Sequence, residues 1–159
     1  MGLKKPLVIT SGQIQQLQAG DTLDATVAEV DVVTMENANA AALVAGSAVY
    51  CDAAGTVDDA CADAAGTVEV LGLVVTEIAI AGSGSIQTDG ILAAETAEWD
   101  VAAGTTGGLT AGTVYYLDPT TPGMLTETAP TAAGDFVVRI GKAISTTELE
   151  ISISQPIKL

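Results

Sequence analysis

The chain has 159 residues, a net charge of −15 from 20 acidic and 5 basic residues, and no histidine. Nucleic-acid-binding proteins neutralise phosphates with Lys and Arg, so this composition argues against a nucleic-acid partner and, for the same reason, against an anionic membrane surface. The lack of histidine removes the commonest general base and the commonest metal ligand.

The apolar residues predict a fold made of strands. Aromatic residues are 3% of the chain, and Ala, Val, Leu and Ile supply most of the 48% that is hydrophobic. Val, Ile and Thr favour pleated strands because their branched Cβ is already stiff. The 17 glycines fit a chain that turns often. No apolar run is long enough to span a bilayer, and "PLVIT" is too short for the core of a signal peptide. We therefore expect synthesis in the cytoplasm.

Residues 1–24 are interpreted as an extended N-terminal arm. Pro6 disfavours helix at Lys5, so "KKPLVIT" is predicted to be extended. The Gln-rich stretch "SGQIQQLQAGDTL" has Ile14 and Leu17 spaced by three, which allows one short helical turn. An arm with so little core of its own needs another surface to lie on.

Residues 25–159 are interpreted as one β domain. Its first stretch, "ATVAEVDVV", alternates in part between apolar and polar residues, the period of a half-buried strand. The following Met35–Gly46 is predicted to be a loop with one helical turn. The segment "ILAAETAEWDVAAGTTGG" contains the only tryptophan, Trp99, and is interpreted as a solvated link that ends in a flexible Gly-Thr tract.

The β domain contains an internal repeat, with copies at about 42–90 and 108–154. "AGSAVYCD" in the first copy matches "AGTVYYLD" in the second at an offset of 66. Further along, the repeat aligns Val57 with Leu125, Val70 with Val138, and, after another insertion, glycine with glycine (Gly72 and Gly141). Each copy predicts four strands separated by turns, which indicates an all-β protein, a small barrel or sandwich with two pseudo-repeats.

Two cysteines, Cys51 and Cys61, raise the possibilities of a disulfide or a metal pair. Two ligands fall short of a structural zinc site, and their matches in the second copy are apolar, so we predict small buried hydrophobic residues. The nearby Asp58, Asp59 and Asp63 lack the calcium-loop spacing and are predicted to be solvated.

The tyrosine pair Tyr115 and Tyr116 is a candidate subunit interface. Successive side chains of a strand point to opposite faces, so one of the two must face outward or toward a neighbouring subunit. A position at the rim of the core is the alternative.

No pattern of catalytic residues is present. A glycosidase would need two carboxylates across a cleft, and the nearest cluster is Glu95, Glu98 and Asp100, which a solvated link explains better. We therefore predict that the chain is not an enzyme and binds no cofactor and no metal.

Three stretches of the sequence resemble known phage proteins. "KKPLVITSGQIQQLQAGDTL" resembles the opening of many tailed-phage virion proteins. "AGSAVYCDAAGTV…VLGLV…GSGSIQTDGIL" and "GLTAGTVYYLDPTTPGMLTETAP…VVRIGKAISTTELEISI" resemble tailed-bacteriophage capsid decoration (cement) proteins, which are related to head- and tail-fibre modules.

This resemblance implies a β-tulip-like fold and a structural protein on the capsid exterior. Its expected partner is the major capsid protein, and its expected oligomer is a trimer that stabilises the expanded head. We expect the arm to supply the capsid contact, through Lys4, Lys5, Leu7, Ile9, Ile14 and Leu17. The alternative is a head- or tail-fibre module that binds a host receptor or glycan.

Overall fold

The computed structural model describes residues 7–10, 13–16 and 32–159, and the fold in these ranges is nearly all-β. The predicted all-β class is confirmed, since one unit is a closed barrel and a second unit is an open sheet.

The N-terminal segment forms a hairpin of its own. Strand β1 (Leu7–Thr10) pairs antiparallel with β2 (Gln13–Gln16), and Ile9 lies opposite Ile14. The extended prediction for "KKPLVIT" is confirmed over β1. The short helical turn that the spacing allowed after it does not form over Gln13–Gln16, because these residues pair as a strand. Leu17, Lys4 and Lys5 lie outside the described residues.

The first unit is a closed barrel of five strands. Its order is β3-β5-β4-β6-β7, with β7 pairing back to β3, and only the β3–β5 pair is parallel. The strands are β3 (Val32–Asn37), β4 (Ala48–Ala53), β5 (Thr56–Asp59), β6 (Val70–Val74) and β7 (Ser83–Gln87). The start of the predicted loop Met35–Gly46 therefore belongs to a strand, and no helical turn follows it.

The second unit is an open sheet of five strands in the order β10-β9-β12-β13-β8. A short sheet of β11 and β14 and one helix accompany it. The elements are β8 (Gly90–Ala93), α1 (Thr96–Ala103), β9 (Val114–Leu117), β10 (Leu125–Thr126), β11 (Phe136–Val137), β12 (Arg139–Ala143), β13 (Glu148–Ile151) and β14 (Ile157–Lys158).

The two units repeat the same strand order and the same register. The order β5-β4-β6-β7-β3 of the barrel corresponds to β10-β9-β12-β13-β8 of the sheet. Val49 lies opposite Gly72 in the barrel, and Tyr115 lies opposite Gly141 in the sheet. These are the residues that the sequence repeat aligns with each other.

Both aligned glycines lie where the backbone of the neighbouring strand leaves no room for a side chain. A Cβ on Gly72 would strike the carbonyl oxygen of Gln87, and a Cβ on Gly141 would strike that of Glu150. Each glycine therefore lets two neighbouring strands approach at a bend, next to an irregularity in register.

The units differ in how the sheet ends. The barrel closes where the Glu36 N–H donates to the Gly55 carbonyl (3.0 Å) and the Ala38 N–H donates to the Val57 carbonyl (2.9 Å). In the second unit the chain leaves β8 after Ala93 and enters α1 at Thr96 instead of continuing along the sheet. The outer strands β8 and β10 do not pair with each other, so the sheet stays open.

Helix α1 corrects the interpretation of this segment as a solvated link. The Glu98 Oε2 accepts a hydrogen bond from the Glu95 N–H (2.8 Å) at its start, and Gly104 ends it with a φ of 61°. Trp99 is fully buried and donates its Nε1–H to the Thr147 carbonyl (3.0 Å). Its ring covers Gly46, where a Cβ would lie 2.9 Å from the ring.

The core consists of two clusters, and the two units share the larger one. The barrel interior is filled by Leu43, Val49, Val57, Val74, Ile78 and Ile86. A larger cluster joins Ala48 and Leu73 of the barrel to Trp99 and the inner face of the second sheet. Backbone hydrogen bonds also cross the junction: the Gly123 N–H donates to the Ala60 carbonyl (2.7 Å), and the Gly123 carbonyl accepts from the Ala48 N–H (2.9 Å).

Candidate functional site

The tyrosine pair is divided between the core and the surface. Tyr115 is fully buried, and its hydroxyl accepts from the Thr110 N–H (2.9 Å) and donates to Glu127 Oε1 (2.8 Å). Tyr115 as a subunit-contact residue is therefore wrong, because its side chain has no accessible surface. Tyr116 is half-buried, and its role at a subunit interface stays a prediction.

The acidic cluster around α1 has structural partners. Glu95 and Glu98 are joined at the helix start, as described above. Asp100 accepts hydrogen bonds from the Gly108 N–H (2.7 Å), the Gly107 N–H (3.1 Å) and the Thr105 hydroxyl (3.3 Å). The bonds from Gly108 and Gly107 lower the pKa of Asp100. The arrangement fixes the loop after the helix and favours the ionised carboxylate.

The two cysteines are free thiols in different environments. Cys61 is buried, as predicted, and burial raises the pKa of its thiol. Cys51 is exposed, which corrects the prediction of a buried hydrophobic residue. Cys51 lies near the end of β4, beyond the residues of that strand that enter the barrel interior.

Asp59 is an unexpected feature of the acidic loop. Its Oδ2 accepts a hydrogen bond from Asn39 Nδ2 (2.6 Å), whereas its Oδ1 is buried without a partner. A Cβ on Gly123 would strike that same Oδ1, so the carboxylate lies at the junction between the barrel and the second unit. The prediction that Asp59 is solvated is therefore wrong.

The surroundings of Asp59 favour its neutral form. Burial, followed by the charge of Asp58, raises its pKa from 3.8 to about 6, and the bond from Asn39 opposes the shift. The partly buried position of Asp59 becomes evident only from its approach to Gly123, which lies in a turn far along the chain, so no local sequence signal could have identified it.

A groove runs between α1 and the barrel. One part, of about 200 Å³, is lined by Val44, Ala45, Glu77, Ala97, Glu98 and Val101. The adjoining part, of about 410 Å³, is lined by Val75, Thr76, Ala93, Ala94, Glu95, Glu98 and Thr147. Its walls are apolar and its charged side chains are carboxylates, so the groove does not favour an anionic ligand.

The outer edge of β8 borders this groove. Ile91 is 54% exposed, and Gly90 and Ala93 are also exposed. On the opposite edge of the same sheet, Leu125 of β10 is 1% exposed and Thr126 is half-buried. An accessible strand edge is a template for pairing with another chain.

Charge is unevenly distributed along the chain. Residues 32–159 contain 16 acidic and 3 basic residues, whereas residues 1–20 contain Lys4 and Lys5 and no acidic residue. The β body is therefore strongly negative, and the N-terminal segment is the part of the chain with a positive charge.

The described ranges contain neither a cluster of metal ligands nor a membrane-spanning helix. Among residues 7–10, 13–16 and 32–159, no group of three or more His, Cys, Asp or Glu side chains is placed to hold a metal ion. No helix in the same ranges is both long and apolar enough to cross a membrane.

Comparison with known proteins adds no relative: no protein-family model matches the chain, and no curated protein matches it.

Proposed function

We propose that the chain is a structural virion protein that binds the outer surface of a tailed-phage capsid and stabilises the expanded head. One observation carries the proposal. Every described strand of both five-stranded units begins at or after Val32, so the described residues of the arm (7–10 and 13–16) supply none of them, and residues 1–20 contain two lysines and no acidic residue. An acidic body with an arm whose first 20 residues are basic and partly apolar suits attachment to a large surface.

The proposed partner is the major capsid protein, contacted by the arm residues Lys4, Lys5, Leu7, Ile9, Ile14 and Leu17. An acidic body that faces solvent stays soluble and repels its neighbours on the lattice except where they make specific contacts. Assembly as a trimer would let several arms bind at once, which multiplies weak individual affinities. The resemblance of the sequence to decoration proteins supports the same function.

The alternative of a fibre module that binds a glycan is less well supported. Glycan recognition commonly uses exposed aromatic rings, but Trp99 and Tyr115 are fully buried and serve the core. We therefore favour the capsid surface over a host receptor.

The test is co-sedimentation with expanded capsids. We expect the full-length protein to sediment with capsids, and the double substitution Lys4→Glu/Lys5→Glu to weaken binding at least about tenfold, which corresponds to about 1.4 kcal/mol. Lys142→Glu/Lys158→Glu makes the same change of charge on the body and serves as the matched control. Equal loss in both variants would contradict the role of the arm, and absence of capsid binding by the full-length chain would contradict the function.

A further inference from the structure

The main-chain groups of Ile91 and Ala93 point away from the sheet. Antiparallel neighbours alternate between pairs that exchange both hydrogen bonds and pairs that exchange none. The Ala94 N–H donates to the Thr147 carbonyl (3.0 Å), which makes Leu92 the next residue bonded to β13. Ile91 and Ala93 fall between these positions. Their N–H and C=O groups therefore face outward, where no described residue bonds them.

The first unit has a similar outward-facing residue, but the residue opposite it is uncharged. Thr34 on β3 falls between the hydrogen-bonded positions of the β3–β7 pair and is exposed, and Ser85 lies opposite it. On β8, by contrast, Glu148 lies opposite Ala93, and Glu150 lies opposite Ile91. Thr34, Ile91 and Ala93 therefore have the same backbone geometry and differ in the charge of the residue opposite them.

The edge of β8 lies within a set of exposed carboxylates. Asp89 precedes the strand, Glu95 follows it, and the side chains of Glu148 and Glu150 stand beside it on β13. Lys142, opposite Glu150 on β12, is the basic side chain on this face. The edge of β8 is therefore surrounded by four carboxylates and one ammonium group. This excess of negative charge favours pairing with a strand from a basic segment.

The geometry points to the N-terminal strand β1 of a second copy of this chain as the segment that pairs with the edge of β8. Two bodies of like charge repel each other, so the part of a second copy that this edge attracts is its basic segment, "KKPLVIT". Strand β1 (Leu7–Thr10) is already extended, has the four-residue length of β8, and pairs only with β2 among the described strands. Docking therefore requires little further ordering of its backbone.

This contact joins two different surfaces, so each copy both gives a strand and receives one. A heterologous contact of this kind closes into a ring when the rotation allows and otherwise extends as a filament. A ring of three copies would be the predicted trimer. The inference concerns the protein in solution without capsids, so it stands or fails independently of the proposed function. On a capsid, the lattice would compete for the same segment.

The first experiment traps the contact with a disulfide. In a Cys51→Ser background, which removes the exposed thiol, Ile91→Cys protein is mixed with Leu7→Cys, Val8→Cys or Ile9→Cys protein under mild oxidation. We expect a covalent dimer on non-reducing gels from at least one mixture, and more of it than from either variant alone. No dimer from any mixture overturns the proposal. So does a double variant that cross-links only within its own chain, since the strand would then come from the same copy.

The second experiment blocks the edge. Proline lacks an N–H, and the N–H of Ala93 bonds no described residue, so Ala93→Pro should leave the β8–β13 pairing intact. We expect Ala93→Pro to weaken self-association in sedimentation velocity at least about tenfold. Thr34→Pro, the matched change on β3, should leave self-association unchanged. Equal behaviour of the two proline variants, or a wild-type protein that stays monomeric at all concentrations, overturns the proposal.

The third measurement tests the electrostatic attraction between the basic segment and the edge of β8. It requires no substitution in the β body. Lys4→Glu/Lys5→Glu should reduce self-association, and added salt should weaken the wild-type contact more than it weakens that of the variant. Self-association that is insensitive to both overturns the assignment of the basic segment as the bound strand.

Discussion

The carboxylate of Asp59 lies directly against the backbone of Gly123, with one oxygen buried and unpaired at the junction of the two units. Gly123 has a φ of 77°, and its own N–H and C=O groups bond the barrel at Ala60 and Ala48. A side chain at Gly123 would have to displace the carboxylate while its backbone stays fixed.

We therefore expect Gly123→Ala to destabilise the protein by about 2–4 kcal/mol, from a left-handed backbone and a steric conflict together. Gly112→Ala is the matched control, because Gly112 has a φ of 82° and nothing within 4 Å of its Cβ position. That control should cost about 1 kcal/mol, the backbone contribution alone. Urea unfolding measures both, and equal losses would show that the contact with Asp59 is unimportant.

The stability of the protein should depend on pH through Asp59. Its pKa is about 6 in the folded protein against an ordinary value of 3.8. Because the pKa of Asp59 is higher in the folded protein than in the unfolded chain, protonation of Asp59 favours folding. The contribution of protonated Asp59 to stability is complete below pH 3.8 and is lost as the pH rises through 6. Asp59→Asn should therefore raise the free energy of unfolding at pH 7.5 by about 1 kcal/mol, a value reduced by solvent screening of this partly buried group.

The control for that prediction is Asp63→Asn, at an exposed carboxylate of the same loop. Urea midpoints at pH 4.5 and pH 7.5 would be compared for the wild type and both variants. The wild type and Asp63→Asn should share one pH dependence, and Asp59→Asn should show a weaker one. Parallel behaviour of all three proteins would contradict the role of Asp59.

The two aligned glycines should be equally intolerant of a side chain. We expect Gly72→Ala and Gly141→Ala each to cost about 2–4 kcal/mol, because each new Cβ meets a backbone carbonyl that cannot move without breaking the sheet. Gly66→Ala is the control, since nothing lies within 4 Å of its Cβ position. Thermal unfolding would measure the loss, and a tolerated substitution at either site would show that the strands can separate there.

Trp99 should contribute strongly to stability through packing and one hydrogen bond. Trp99→Phe removes the donor to the Thr147 carbonyl and leaves a gap above Gly46, at an expected cost of about 2–3 kcal/mol. Val101→Ala, on the same helix at a position that is 58% exposed, should change the free energy of unfolding by less than about 0.5 kcal/mol. A Trp99→Phe protein as stable as the wild type would mean that the helix contributes little to the core.

The all-β class and the internal repeat could be predicted from the sequence because local signals carry them. Gly46 and Gly112, aligned by the repeat, both have positive φ (83° and 82°). Alternating apolar residues and turn glycines recur at matching positions, which predicted strands in both copies. The strand order and the register of Val49 and Tyr115 against their glycine partners were not predicted, because they depend on pairing between distant segments.

Other features depend on contacts between distant segments and were missed. Helix α1 has no strong apolar stripe, and what fixes it is the burial of Trp99 against Gly46 of the other unit. Cys51 lies opposite Val57, in the place that Leu117 takes opposite Leu125, yet it is exposed. Asp59 is one of several acidic residues in sequence, and only its approach to Gly123 distinguishes it.

The backbone bonds of Gly123 to Ala60 and Ala48 have a consequence for folding. Neither copy of the repeat can complete its own hydrogen bonding while the other is unfolded, and the larger core draws side chains from both. The duplication has therefore not produced two modules that could be exchanged or expressed separately. The two halves should melt in a single cooperative transition, and either half alone should remain unfolded.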